Sequence, residues 1–494
     1  MTFALLTLLS LFFMSGSATA LFDDADTGWH IRNGERIIST RSLPHSDPFS
    51  FSKPGEPWIA WEWGSDVLMG EVFRLSGLAG IALLFGLAIS ASVWMWFRLS
   101  LAAGGNVLLA GLFLIPLLIT SELHSLARPH IFSWLFMAGA VWFCEAAPHR
   151  LRLRHLTLVV ALTAVWANLH ASFFFAPVIA LIYAVGAFLR PLIWDVHGTM
   201  NRRVSRPGGR GYLLLALAAS AGTLVNPNGW RLHRHVLLYL ANSAMLDHIT
   251  EFQSFNFHSE GALWVMLTVA ICFAGCFAAL AIQEPGRFLL SFVLTAVALR
   301  SVRALPIAAL VVLPLANASI AAVLTSARGL LRSFRLRLDR ALEYGRSLHA
   351  IDRRFGGYAI VPFVAVLVFA AIRSTAGFPA KTLPVAASEM VASLPADARI
   401  FAPDTFGSYL IYRFKGERKV FFDGRSDFYG TSFLTHYSRL IGVQRGWRDE
   451  FNRWHFTHAL LPPDSALIPL LEAYGWRELY GDKTAVLLTG RSEL

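Results

Sequence analysis

Charge is what this 494-residue chain has least of: 15% of its residues are Asp, Glu, Lys or Arg, against 55% hydrophobic. Soluble proteins of such length carry about a quarter charged residues, so an ordinary cytosolic enzyme is excluded and a membrane is implied. Lysine is scarcer still, with 5 of the 43 basic residues against 38 arginines. The net charge of +11 does not describe a nucleic-acid surface, because the arginines fall in short blocks between apolar runs, as in the positive-inside pattern of multispan proteins. No nucleic-acid partner is expected. The three cysteines, Cys144, Cys272 and Cys276, all lie within apolar runs, so no disulfide framework is implied and the last two read as packing residues. Also missing are a P-loop, a GxSxG elbow and a dinucleotide fingerprint, so energy input from a nucleotide is not expected.

What remains is apolar runs. A helix needs roughly 20 apolar residues to cross the hydrocarbon, where no backbone polar group can go unpaired. That ruler predicts about eleven spans, near 1–22, 77–97, 104–121, 131–147, 156–169, 172–193, 211–225, 261–282, 287–300, 304–327 and 357–377. The small-x-small pattern at Ser17–Ala20 could mark a cleaved leader. The segment lacks a positive start, however, and is read as a retained helix. The fold class expected is mainly α, a polytopic helix bundle over 1–377 with a first outer loop at 23–76. A C-terminal extracytoplasmic α/β domain follows over 378–494. In that tail, 388–394, 432–454 and 466–474 read as helices, and 399–402, 409–413, 419–422, 458–461 and 485–488 as extended, with a further extended piece around Leu479. The Arg-rich stretch 328–355 could form a basic amphipathic helix lying on anionic lipid.

Ionisable residues at a membrane are costly, so their placement is informative. They gather at the outer ends of the predicted spans: Asp23, Asp24, Asp26, His30 and Arg32, then Glu62, Glu122, His124, Arg128 and His130. Asn168, His170, Asn226, Arg231, His248, Glu251, Arg300 and Arg303 complete the set. Carboxylates early in the first loop can serve as a general base or hold a metal, and arginines of later spans can hold a phosphate in a planar fork. Arg128 is followed by Pro129, a helix start whose amides would face the same anion. Arg300 and Arg303 can equally be headgroup anchors.

These residues carry a resemblance. Asp24-Ala25-Asp26-Thr27-Gly28-Trp29-His30-Ile31-Arg32-Asn33-Gly34-Glu35, with Pro44-x-x-Asp47-Pro48-Phe49-Ser50 and Trp58-x-x-x-Glu62-Trp63, resembles the first outer loop of bacterial integral-membrane glycosyltransferases of the C superfamily. Ala127-Arg128-Pro129-His130, Trp166-Ala167-Asn168-Leu169-His170, Val225-Asn226-Pro227-Asn228-Gly229 and, in the tail, Asp423-Gly424-Arg425-x-Asp427-x-Tyr429 are similar to signatures of the same group. The resemblance implies an inverting transferase of the cell envelope that moves a sugar from a polyprenyl-phosphate or polyprenyl-diphosphate donor to a glycan, lipid or protein acceptor. The place would be the outer face of the bacterial inner membrane. It implies catalytic work for an acidic residue of the first outer loop: Asp26 first, then Asp24 and Asp23, with Glu62 nearby. Substrate contacts would fall to His30, Arg32, Arg128, His130, Asn168, His170, Asn226, Arg300 and Arg303. Oligosaccharyltransferases of the superfamily carry an acidic-x-His or acidic-x-acidic metal motif where this chain has Glu122-Leu123-His124, so a divalent metal held by Asp26, Glu122 and His124 is conceivable. No other cofactor is expected. Trp29, Trp58, Trp61 and Trp63 could stack on a sugar or sit at the interface, and the Asp423–Asp427 stretch could be a site loop or a turn that closes the tail.

A transporter or flippase of lipid-linked saccharide would use similar outer residues but needs a polar path inward, which 77–97 and 304–327 hardly offer. A non-catalytic envelope-assembly scaffold would need none of the acids. The arginine blocks at 150–154, 202–210 and 328–354 set an orientation with the N-terminus inside and the tail outside. A single cysteine placed within 202–210 or 335–346 should therefore be shielded from an impermeant thiol reagent in intact cells, while one near 430 reacts; labelling of the tail only after lysis would reverse the assignment.

Overall fold

The computed structural model describes residues 18–195, 206–354 and 360–490; most of the expected span 1–22, and Arg202 and Arg203, lie outside them. The chain is mainly helical. After a 3-10 turn at Ala18–Phe22, α1 is Asp26–Thr40, and the bundle comprises α2 Trp63–Ala102, α3 Val107–Glu122, α4 His130–Ala146, α5 Leu153–Leu169, α6 Phe175–Ile193 and α7 Gly209–Thr223. Helix α8 is Trp230–Ala241, followed by one turn at Ser243–Leu246; then come α9 Ala262–Ala281, α10 Pro285–Arg300, α11 Leu305–Ser326, α12 Arg332–Arg354 and α13 Ile360–Ile372. Helices thus stand where ten of the eleven apolar runs were read. Among the described residues, four stretches are long and apolar enough to cross a membrane: Trp63–Ala102, Ala171–Ile193, Ala262–Ala281 and Val302–Ser326. Several others are apolar but shorter, so the count of eleven stays an expectation.

Helix α2 is one element of 40 residues broken at Gly77, whose φ of 62° interrupts the helix. The break separates a polar first stretch from the apolar remainder. The central layer is α11, whose residues from Leu305 to Ser319 are almost continuously buried. A buried ionic cluster sits at the end of the bundle away from α1. Glu145 on α4 receives Arg287 from α10 at 2.6 and 2.9 Å, Arg206 at 2.7 Å and the Tyr183 hydroxyl of α6 at 2.7 Å. Charges out of water persist where every one is paired, and here the pairing fixes three helices to one another. The Asn317 side-chain amide pairs with the Asn106 backbone, Oδ1 accepting its N–H at 2.9 Å and Nδ2 donating to its carbonyl at 3.0 Å, and Asn106 Nδ2 donates to the Leu342 carbonyl, which fastens the basic helix α12 to the bundle.

The C-terminal segment contains α14 Ala387–Ala392, α15 Asp404–Arg413, α16 Ser426–Ile441, α17 Trp447–Arg453 and α18 Leu467–Ala473. Its four strands, β1 Ile400–Phe401, β2 His458–Leu461, β3 Arg477–Gly481 and β4 Val486–Thr489, lie in the order β1-β2-β4-β3. The β1–β2 pair is parallel with Ile400 opposite His458, and the other pairs are antiparallel. Every residue of β2 is buried, and Phe401, Phe421 and Phe451 meet on the Phe456 ring at 5.1, 4.9 and 4.9 Å. Three expectations fail here. Tyr409–Arg413 is helical, because Phe406, Tyr409 and Leu410 recur at helical spacing and bury together. Lys419–Phe422 makes only a single bridge, Val420 to Ser50. Finally, 432–454 is two helices, interrupted where Gly446 takes φ 85°.

Helix α1 is clasped between the bundle and α15, and two glycines permit it. A Cβ on Gly34 would stand 1.8 Å from the Asp66 carbonyl oxygen of α2, and one on Gly28 would stand 2.6 Å from the Tyr412 Cβ of α15. Backbone meets backbone at Gly34, so there is no flexible end to yield. Gly34→Ala should lower the thermal midpoint in detergent by several degrees, in line with the ~1–3 kcal/mol typical of overpacking; an unchanged midpoint would mean that α1 can shift freely.

Candidate active site at the end of the bundle

The site is assembled from the start of α1, the turn before α4, the 3-10 turn Thr250–Phe252 and the tail. Asp24 Oδ1 accepts the Asp26 backbone N–H at 2.8 Å, which ties the chain just before α1 to the helix's first amide. Its second oxygen takes Arg128 Nη1 at 2.5 Å. The same Nη1 lies 2.8 Å from Glu251 Oε1, and Nη2 lies 3.0 Å from Asp26 Oδ2. One guanidinium therefore gathers three carboxylates. Glu251 is shared with Arg303, whose Nη1 reaches Oε2 at 3.0 Å. Burial opposes ionisation of Glu251, but Arg128 and Arg303 hold its carboxyl down at about 2. Asp26 is the opposite case. Burial, reinforced by the Asp24 charge, raises its carboxyl above the usual carboxylate range while Arg128 pulls it down.

The tail closes over Asp26. Ser408 Oγ of α15 donates to Asp26 Oδ1 at 3.0 Å, and a Cβ on Gly424 would stand 1.9 Å from that oxygen. Gly424 is held by its neighbours: Asp423 takes Arg425 at 2.7 Å through each oxygen and the Tyr429 hydroxyl at 2.8 Å. Arg425 also reaches Asp47 at 2.8 Å and lies over the Trp58 ring at 4.7 Å. The stretch is thus both a turn that ties the tail to the first loop and a wall of the site.

Glu62 stands between two imidazoles, His170 Nε2 at 3.3 Å from Oε1 and His30 Nε2 at 3.6 Å from Oε2. Burial pushes its carboxyl up to about 7. His30 is anchored from behind, Nδ1 lying 2.6 Å from Asp66 Oδ1 while Asn33 Nδ2 donates to Oδ2 at 2.6 Å. Burial lowers His30 to about 3, so the ring is neutral. Nδ1 is taken up by Asp66, and Nε2, which has no hydrogen-bond partner among the described residues, faces Glu62 across 3.6 Å.

Two cavities meet here. A polar one of about 350 Å³ is lined by Asp24, Asp26, Trp29, His30, Glu62, Arg128, Asp404 and Gly424, among others. An apolar one of about 300 Å³ runs between helices, lined by Trp134, Phe174, Phe175, Val236, Leu240, Phe252 and Ile307. Trp61, Glu62, His130, His170, Tyr239 and Arg303 border both.

Of the residues singled out from sequence, Asp24, Asp26, His30, Glu62, Arg128, His130, His170 and Arg303 all line the polar cavity, and His124 lines the apolar one. Others do different work. Arg32 donates to the Tyr412 carbonyl at 2.9 Å and packs on the Tyr412 and Phe73 rings, fastening the tail. Asn168 accepts Trp63 Nε1 at 2.9 Å, and Asn226 closes its own turn onto Thr223 and Gly229. Arg300, Asp23 and Glu122 are exposed. Asp26, Glu122 and His124 therefore do not assemble as a metal set, and among the described residues no three His, Cys, Asp or Glu are placed to hold an ion. Of the four tryptophans, Trp29 and Trp61 line the polar cavity, Trp58 is buried under Arg425, and Trp63 is tied to Asn168. Sequence reasoning missed Ser408 and Asp404 as site members, and placed Glu251 at the outer end of a span without giving it a role. Burial pushes Asp404 up to about 6, helped by Asp24.

No family model matches the sequence, and no curated protein matches it. Among solved structures, the chain is similar to the apo form of the oligosaccharyltransferase of Archaeoglobus fulgidus, with TM-score 0.54, 13% identity and coverage of 93% of this chain and 68% of that one. At that identity the likeness concerns architecture.

The protonation of Glu62 has a measurable consequence. Unfolded, it titrates near 4.5; folded, it keeps its proton to about 7. The folded chain thus binds the extra proton between these values, and stability falls as pH rises through that window, levelling above it. Between pH 5 and pH 8 the parent should lose more unfolding free energy than Glu62→Gln, by on the order of 3 kcal/mol; parallel pH profiles would show that Glu62 is ionised in the fold.

Proposed function

We propose that this chain is an inverting glycosyltransferase that takes a sugar from a polyprenyl-phosphate or polyprenyl-diphosphate donor. The observation that supports this most is the meeting of the two cavities at Arg303. An amphiphile with a phosphate between a lipid and a sugar would place its tail in the apolar cleft, its phosphate at Arg303 and its sugar among the carboxylates. Arg303 is a quarter exposed and borders both cavities, whereas Arg128 is committed to three carboxylates. The phosphate role expected of Arg128 therefore passes to Arg303.

Asp26 then acts as general base. It removes the proton of the acceptor nucleophile, which attacks the anomeric carbon from the face opposite the phosphate. The carbon–oxygen bond to phosphate breaks, inversion results, and the lipid phosphate leaves with its electron pair, its charge held by Arg303. A raised base suits proton transfer near neutral pH. Ser408 and the Gly424 backbone fix the carboxylate orientation, and Asp24 fixes the helix that carries it. The envelope acceptor, as glycan, lipid or protein, would enter on the side of the tail, which covers this end.

The test is transfer of radiolabelled sugar from polyprenyl-linked donors in nanodiscs. Asp26→Asn should lose about 10²–10⁴-fold in rate, the usual share of a positioned base, with normal membrane insertion. Arg303→Lys should raise the apparent KM for donor tenfold or more, because an ammonium cannot replace the planar fork. Full activity of Asp26→Asn would remove the base, and normal donor affinity in Arg303→Lys with loss in Arg128→Lys would move the phosphate back.

A further inference from the structure

The Asp26, Glu122 and His124 set that the resemblance makes conceivable does not come together, since Glu122 is exposed, yet metal-type ligands converge in this site on a different point. Asp24 Oδ2, Glu251 Oε1 and Asp26 Oδ2 all face the Arg128 guanidinium within 3.0 Å. His124 is buried with 4% of its side chain exposed, and its Nε2 points at the same Glu251 Oε1 from 3.8 Å. That nitrogen has no hydrogen-bond partner among the described residues. Three carboxylate oxygens and one imidazole nitrogen are the donor set of a hard divalent ion such as Mn²⁺. The centre of the set is filled by a side chain.

We propose that Arg128 is a built-in cation in the seat of a divalent metal, and that the four groups around it form a latent metal site which the guanidinium keeps closed. The two cations differ in physical terms. A metal draws its oxygens to roughly 2.0–2.2 Å of one point. A guanidinium spreads one charge over a plane and holds acceptors farther apart through separate N–H groups. The set is accordingly too open for an ion while Arg128 is present, and contracts onto one when the side chain is cut back. Arg128 cannot be removed by a chelator and does not titrate in the accessible range, so Asp26 keeps a cationic neighbour at all times. The consequence for catalysis rests on the transferase reading; the closed seat does not.

Binding of Mn²⁺ to the full-length protein in nanodiscs, read by the loss of the free-ion electron paramagnetic resonance signal, tests the seat without donor or acceptor. The parent should leave the signal unchanged at tens of micromolar Mn²⁺. Arg128→Ala should take up about one equivalent at least tenfold more tightly than the parent, and adding Asp26→Asn should weaken that uptake. If removing the guanidinium destabilises the fold by carboxylate repulsion, Mn²⁺ should raise the melting midpoint of Arg128→Ala and of the bulkier Arg128→Gln, and leave that of the parent unmoved. One equivalent bound by the parent and lost in Asp26→Asn would overturn the proposal. So would Arg128→Ala and Arg128→Gln that neither take up Mn²⁺ nor gain midpoint from it. Failure of sugar transfer in a separate assay would leave these results untouched.

Discussion

Three carboxylates held on one guanidinium are the constraint around which the rest of the site is arranged. Asp24, Asp26 and Glu251 come from the start of α1 and from a turn more than two hundred residues later, and without Arg128 their mutual repulsion would drive them apart. Removing one partner of a buried ionic set leaves uncompensated charge, which is far more costly than the set is stabilising. The Ala127-Arg128-Pro129-His130 turn places the guanidinium, since Pro129 ends the preceding loop and starts α4. From this centre two further ties run outward. Glu251 passes to Arg303 and so to the border of the apolar cavity, while Asp26 passes to Ser408 and so to the tail.

The balance of charge explains why the neighbouring acids differ. Glu251, clamped by two arginines, is ionised; Glu62, flanked by neutral imidazoles, retains a proton to about 7. One end of the bundle therefore holds an acid in each protonation state a few residues apart in space. Such divergence between nearby carboxyls is common where proton transfer takes place. The polar and apolar cavities share Trp61, Glu62, His130, His170, Tyr239 and Arg303 in their linings, and the proposed amphiphilic donor draws on that shared border.

Much of this was legible in the chain. Apolar runs placed the bundle helices because lipid demands complete internal hydrogen bonding, and the position of Gly77 was readable as the end of the first loop. Most of the site was legible as well, since ionisable residues at the edge of apolar runs need a reason to be there. Partnership was not legible. Arg128 looked free to hold phosphate because its three acids are distant in sequence, and the partners of Asn168, Asn226 and Arg32, which are the Trp63 indole N–H, backbone carbonyls and ring faces, leave no mark in the local sequence. In the tail, short apolar stretches such as 409–413 suit strand and helix equally, and the choice depends on α1 lying against α15.

The contact between Ser408 and Asp26 joins residues 382 positions apart, and Gly424 meets the same carboxylate from farther on. The order of synthesis gives this a particular meaning. The acidic helix emerges with the first part of the chain, whereas its last wall is made only when the tail has been completed and has folded against it. A nascent or truncated chain ending before α15 would carry the carboxylates without the groups that orient one of them. Maturation of the site is thereby coupled to completion of the polypeptide.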